Sequence, residues 1–329
     1  MRNARIAGTG AAVPDRVVPN SYFNEILQED VDTWLRENVQ IYERRWLAEN
    51  ESVADLCEKA ALQALERSGV SAKELDLIII ATDTPEFISP STAAVLQDRL
   101  GAEKAGSFDV NTACAGFVSA MDTAFKYIQA DPQYQHILVI GAYAMSKYLN
   151  LTDKKTVTLF ADGAGAVILS ATEDAGVGQI ASMQMTEGQY NQWMGIYAGA
   201  SHTPITQEVV ARGEHKLQFV KKFPKELNPI MWSSMAREMA ESAGREVEEV
   251  KMFFMTQINI HGIYEMLDKL GLPHERAIYI MHKYGYTGSA AIPMALNKAV
   301  EENLIQRGDL ITLIGSGGGL AFAGSMVLY

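Results

Sequence analysis

The sequence predicts an α/β fold built from two copies of one motif. Short β-branched runs alternate with helical stretches, and paired landmarks recur at one fixed spacing. Hydrophobic residues make up 48% of the 329 and charged ones 21%, enough apolar matter for a sizeable core.

Segments 77–82 (LIIIAT), 136–141 (HILVIG), 156–161 (TVTLFA), 251–256 (KMFFMT), 277–281 (AIYIM) and 310–315 (LITLIG) read as strands, most of them apolar throughout and so buried on both faces. SFDV at 107–110 is a further strand. Helical periodicity occupies 52–68, 91–100, 115–129, 260–270 and 290–302. The strand order of the first half returns in the second. Thr82 and Thr256 stand 174 residues apart, and so do Gly141 and Gly315. TLFADGAGAVILSA (158–171) is echoed by GSGGGLAFAGSMVLY (315–329), small-residue turns that open an apolar strand. Two such halves, 1–175 and 176–329, pack about a pseudo-two-fold axis with loops of both converging at the centre. Residues 186–230 break the symmetry. This long insertion, rich in Gly, Tyr, Trp and Met and then basic, reads either as a lid over a site or as a surface excursion packed by its own aromatics.

The charge balance excludes some functions. Forty acidic against 28 basic side chains leave a net charge of −12, which repels nucleic-acid phosphate and anionic membranes. No apolar run reaches the roughly 20 residues of a membrane helix. The N-terminal segment lacks the pattern of a signal peptide. Two cysteines make no disulfide framework, so a reducing, cytoplasmic setting is expected. No Cys/His spacing fits a metal. Gly8-Thr9-Gly10-Ala11-Ala12-Val13 lacks the third glycine of a dinucleotide fingerprint.

Cys114 is the candidate nucleophile. In FDVNTACAGF a strand ends at Val110, a small-residue loop follows, and a helix begins at or just after the cysteine. A sulfur at a helix N-terminus is favoured as thiolate, so its pKa is expected to fall. Alternatively it is a buried structural cysteine, as Cys57 on its amphipathic helix is expected to be.

The segment FDVNTACAGF closely resembles the active-site signature of β-ketoacyl-acyl-carrier-protein synthase III, of the thiolase-like superfamily. The resemblance extends over nearly the whole chain, through IAGTGAAVP, LDLIIIATDTPEFISPSTAAVLQDRLG, LFADGAGAVIL and the terminal GSGGGLAFAGSMVLY. It implies a thiolase-like fold of duplicated halves in five layers, α/β/α/β/α. It also implies an acyltransferase of fatty-acid or specialised metabolism that loads an acyl group on Cys114 and then condenses or transfers it. The oxyanion hole would be the backbone N–H of Cys114 with that of Gly318.

Two positions depart from the pattern. The family has a histidine in a His-Gln-Ala-Asn motif where this chain reads Thr256-Gln257-Ile258-Asn259. It has an asparagine in a His-Gly-Asn-Thr motif where this chain reads Tyr284-Gly285-Tyr286-Thr287. Both hydroxyls can still donate hydrogen bonds, but threonine carries no charge, so enolate stabilisation weakens. The decarboxylative step is therefore the one in question. The alternatives are acyl transfer to an oxygen, nitrogen or carbon nucleophile without decarboxylation, or a catalytically weak partner subunit of an active ketosynthase.

By the same resemblance, Asp83 falls near a catalytic glutamate of the hydroxymethylglutaryl-coenzyme A synthases, and reads as an acid or base or as a loop aspartate in a turn. Trp34 and Lys154 take the places of residues that hold the coenzyme A nucleotide, while Asn38 stands where an arginine is usual. Gln257, Asn259 and His261 are expected at the substrate. Lys216, Lys221 and Lys222, with Lys225 and Arg212, form either a docking patch for an acidic acyl carrier protein or a solvated face. No resident cofactor is expected, since coenzyme A or phosphopantetheine arrives as the substrate thioester. A homodimer is implied, with residues 87–91 near the partner's tunnel.

Overall fold

The computed structural model describes residues 2–329. Its first sheet holds β1 (Asn3–Ala12), β2 (Leu77–Ala81), β3 (Gly106–Val110), β4 (His136–Ala144) and β5 (Asp162–Thr172), in the order β1-β5-β4-β2-β3. The second holds β6 (Gly178–Thr186), β7 (Met252–Met255), β8 (Leu310–Gly317) and β9 (Ala321–Leu328), in the order β7-β8-β9-β6. In the first, β2 runs parallel to β3 and β4, and β5 returns antiparallel between β4 and β1. In the second, β7 runs parallel to β8, and β9 returns antiparallel between β8 and β6. The echo between 158–171 and 315–329 is thus a pair of equivalent return strands.

Helices complete the layers. On the first sheet's outer face lie α1 (Val53–Ser68) and α2 (Thr92–Leu100). Between the sheets, and touching both, lie α3 (Gly116–Ala130) and, near the chain end, Ala291–Glu301. Leu227–Ser242 covers the second sheet's outer face, with Ile260–Leu270 packed on it. This is the five-layered α/β/α/β/α arrangement that the resemblance implies. Being flanked on both sides, α3 is apolar almost all round, from Phe117 through Ala120, Met121 and Phe125 to Ile128.

The repeat spacing has a packing counterpart. A Cβ on Gly141 would stand 2.2 Å from the Ser289 carbonyl oxygen, and one on Gly315 would stand 2.8 Å from the Ala115 Cα. Each glycine admits the loop that opens the other half's central helix, and the halves interlock there.

Three expectations need correction. The strand read at 156–161 is instead a helical turn, Lys154–Val157, and β5 starts at Asp162. Asp153 caps that turn by accepting the Lys155 N–H (3.1 Å), and the Thr158 hydroxyl donates back to the Lys154 carbonyl (2.9 Å), so hydroxyl side chains compete with strand pairing. The strand read at 277–281 shrinks to one bridge, Phe253 with Ala277. Beyond it, the buried Gln257 side chain takes the place of a neighbouring strand. Its Nε2 donates to the Ile278 carbonyl (3.0 Å) and its Oε1 accepts the Ile280 N–H (2.7 Å). Gln257 is therefore a scaffold residue rather than a substrate contact. Gln257→Ala leaves two buried backbone groups unpaired and is expected to lower stability by about 2–4 kcal/mol, measured by urea unfolding. Finally, Leu227–Ser242 starts inside the 186–230 window. Pro229 falls in its first turn, where a proline sacrifices no intrahelical bond.

Among the described residues, no helix is long and apolar enough to cross a membrane. None of their side chains form a group of three or more His, Cys, Asp or Glu suited to a metal ion.

Candidate active site

Cys114 sits on a tight turn between β3 and α3. The Asn111 Oδ1 accepts the Ala113 N–H (3.0 Å), and the Gly116 N–H donates to the Ala113 carbonyl (2.9 Å). Ala113 is held at φ 48°, a left-handed conformation that alanine seldom adopts. This bend carries Cys114 to the junction of the two halves, where the end of β8 meets it. A Cβ on Gly317 would lie 2.5 Å from the Cys114 nitrogen and 2.7 Å from the Thr112 carbonyl oxygen. Only glycine lets the 317–319 turn come so close. Neither the Cys114 N–H nor the Gly318 N–H donates to a backbone carbonyl among the described residues, and the Cys114 N–H faces its own sulfur.

The thiol departs from expectation. The sulfur is buried, with Cys114 only 3% exposed, and burial pushes the thiol up to about 12. The negative charge of Asp83 adds to this, and hydrogen bonding from the Tyr286 and Tyr143 hydroxyls pulls the other way. The helix starts two residues later, at Gly116, and offers the sulfur no cation. The resting group is a neutral thiol. Cys57 is fully buried in α1, where burial also raises its pKa.

Two cavities meet at the cysteine. One, of about 230 Å³, is bounded by Asp83, Tyr143, Met145, Tyr197, Leu217 and Gly318. The other, a channel of about 250 Å³, runs past Phe223, Trp232, Thr256, Tyr286 and Gly318 to Lys222 and Lys225. Met194 borders both. The insertion thus walls the site on two sides, while Tyr190, Trp193, Phe219 and Phe223 pack on one another behind it.

The structure brings Cys114, Gly318, Asp83, Thr256 and Tyr286 together at these cavities. Thr256 differs from its expected role. Its hydroxyl donates to the Ser316 carbonyl (3.2 Å) and accepts the Ser316 N–H (2.8 Å), so its one proton is engaged by the scaffold. Tyr286 is buried against Tyr143 and Phe160, with its hydroxyl at the sulfur. Asp83 has a buried Oδ1 with no partner, and burial raises its carboxyl to about 6.

The other expected residues lie outside the centre. Asn259 borders the channel, but its Oδ1 caps Ile260–Leu270 by accepting the His261 N–H (3.0 Å). His261 is exposed on the first turn of that helix and lines neither cavity. Trp34 is 52% exposed on a short helix, Asp32–Asn38, and is also outside both linings. Lys154 pairs with Glu29 (2.8 Å) at the surface. The basic run divides. Lys216 donates to the Lys147 carbonyl (3.0 Å), Arg212 pairs with Glu214, and Lys221 stacks 4.0 Å over Trp193. Lys222 and Lys225 remain at the channel. Tyr143 and Asn111 were missed by sequence reasoning. The only signal was a large polar side chain among the small residues that end HILVIGAYA.

Such an arrangement can accept an acyl group on sulfur: a thiol, two N–H donors that no backbone carbonyl takes up, and room on either side. Known proteins resemble the chain in sequence and in fold. The family model described as 3-Oxoacyl-[acyl-carrier-protein (ACP)] synthase III matches residues 108–188, and its C-terminal counterpart matches residues 240–329. A beta-ketoacyl-[acyl-carrier-protein] synthase III of Clostridium novyi (strain NT) is 35% identical over 333 residues, covering 99% of each chain. The crystal structure of 3-oxoacyl-[acyl-carrier-protein] synthase III from Aquifex aeolicus VF5 superposes with a TM-score of 0.88 at 33% identity, over 99% of this chain and 100% of that one. The priming beta-ketosynthase of the R1128 polyketide biosynthetic pathway gives a TM-score of 0.90 at 27% identity, over 99% and 96% of the two chains.

Proposed function

This chain belongs to the 3-oxoacyl-[acyl-carrier-protein] synthase III family, and from that premise we propose that it is an acyltransferase that loads an acyl group from a thioester donor onto Cys114 and passes it to an acceptor. The observation that carries this reading is the Cys114 thiol beside two N–H groups that no backbone carbonyl takes up, at the meeting point of two cavities.

In loading, the Cys114 sulfur bonds to the donor carbonyl carbon while the bond from that carbon to the donor sulfur breaks. The N–H groups of Cys114 and Gly318 hold the oxyanion in between. The thiol proton leaves on the departing donor sulfur, so acyl-Cys114 and a free donor thiol are the products. A thiol held near 12 favours this direct handover over a preformed thiolate. Asp83 is poorly matched to remove that proton, because transfer to a carboxyl held near 6 runs steeply uphill.

Lys222 and Lys225 suit the channel to a phosphate-bearing arm, so the donor is acyl-coenzyme A or an acyl carrier protein. Trp34 and Lys154 serve the far end of coenzyme A, and the lysines of 216–225 the carrier. The reading requires no resident cofactor or metal. The exposed Phe87 and Ile88 support a second copy of the chain at that face, and the two free cysteines agree with a cytoplasmic setting.

For the second half-reaction, Thr256 and Tyr286 stand where the resemblance puts a histidine and an asparagine. With the Thr256 proton engaged by Ser316, Tyr286 alone is left to polarise a malonyl carbonyl. That favours transfer to an oxygen, nitrogen or carbon nucleophile over malonyl condensation. The test is to preload the enzyme, chase with malonyl-carrier protein, and count carbon dioxide released per acyl group lost. Far less than one is expected. One carbon dioxide per acyl group would establish conventional condensation instead.

A further inference from the structure

We propose that the cavity beside Cys114 selects an acyl chain bearing a hydrogen-bond donor, a hydroxyl or an ammonium group, which Asp83 binds. This rests on the acyl-Cys114 reading above and specifies its substrate class.

The two cavities differ in chemistry. The channel carries Lys222 and Lys225 among apolar side chains, which fits the anionic donor arm. The cavity on the other side of the sulfur has no lysine or arginine in its wall and carries Asp83 instead. A phosphate arm is repelled there, so that side takes the acyl group. Its wall is unusually polar for an alkyl chain, with Asn111, Tyr143, Asn191 and Tyr197 joining Asp83.

Asp83 is placed to read such a chain. Its loop is fixed on both sides: the Thr82 N–H donates to the Val110 carbonyl (3.1 Å), and the Thr84 hydroxyl accepts the Ala144 N–H (2.8 Å). Its Oδ1 is nevertheless buried without a donor. The titratable groups that face it are Cys114, Tyr143, Tyr148 and Tyr286, all weak acids. A carboxylate so enclosed lacks one partner, and a donor on the acyl chain supplies it.

The test compares butyryl, 3-hydroxybutyryl and 4-aminobutyryl pantetheine thioesters, which share the arm common to coenzyme A and carrier proteins. Initial rates of adduct formation on Cys114 are read by intact-protein mass spectrometry. A substituted chain is expected to load at least tenfold faster than butyryl on the native protein. Asp83→Leu is expected to erase the difference, and Asp83→Asn, which keeps the shape, to retain it for the hydroxyl only. If the ammonium chain is the one selected, its advantage fades as pH falls through about 6, where the carboxylate is protonated. Butyryl loading as fast as both substituted chains would overturn the inference while leaving acyl transfer intact. No adduct from any thioester would overturn both.

Discussion

Cys114→Ala is expected to abolish acyl exchange between a donor thioester and free pantetheine, a loss on the order of 10⁴-fold or more. Of the described residues that line both cavities, Cys114, Met194 and Gly318, only Cys114 carries a nucleophilic side chain, and no described histidine lines either one. Deleting a single buried sulfur should lower stability by only about 1 kcal/mol, so the loss is readable against an intact fold. Cys57→Ala is the matched control. That thiol lies inside α1, remote from either cavity lining, and its removal should leave exchange unchanged. Exchange that survived in Cys114→Ala would assign the chemistry to another group.

Gly317→Ala is expected to slow loading by roughly 10²–10³-fold, the usual effect of losing an oxyanion donor. The new methyl group would stand 2.5 Å from the Cys114 nitrogen and 2.7 Å from the Thr112 carbonyl oxygen, both backbone atoms that cannot rotate away. The glycine turn must therefore retreat, and the Gly318 N–H moves with it. Gly318→Ala is the informative comparison. Its methyl group meets only the Met194 carbonyl oxygen, at 3.3 Å, so a small shift of that loop accommodates it. Loading rates should fall far less there. Equal effects at the two positions would argue that the turn matters for folding rather than for holding an oxyanion.

The sequence announced the fold wherever local pattern and tertiary packing agree. LIIIA and HILVIG are apolar throughout because their sheet is covered on both faces, and the fixed spacing of Gly141 and Gly315 reflects equivalent close approaches across the pseudo-two-fold. Reading failed where a side chain stands in for backbone. AIYIM has strand composition, but the Gln257 amide occupies the ladder groups of Ile278 and Ile280. TVTLFA is β-branched, yet its hydroxyls turn back on a helical turn capped by Asp153.

The site was legible in its parts and not in its electrostatics. Cys114, the 317–319 glycines, Asp83, Thr256 and Tyr286 converge at the two cavities. Burial, which no single-sequence pattern reports, raises the thiol that a helix terminus was expected to lower. The direction of one hydroxyl proton decides what Thr256 can offer, and that depends on Ser316, sixty residues away. Tyr143 reaches the sulfur only because β4 runs on past the segment recognised as a strand.

An acyl group carried on Cys114 is read by intact-protein mass spectrometry after brief mixing with acyl-coenzyme A, acyl-pantetheine and acyl-carrier donors, followed by peptide mapping. One acyl mass on the peptide that contains Cys114, absent from Cys114→Ala, is the predicted result. An unmodified chain with every donor would contradict the claim and leave a catalytically weak partner of an active ketosynthase as the surviving account.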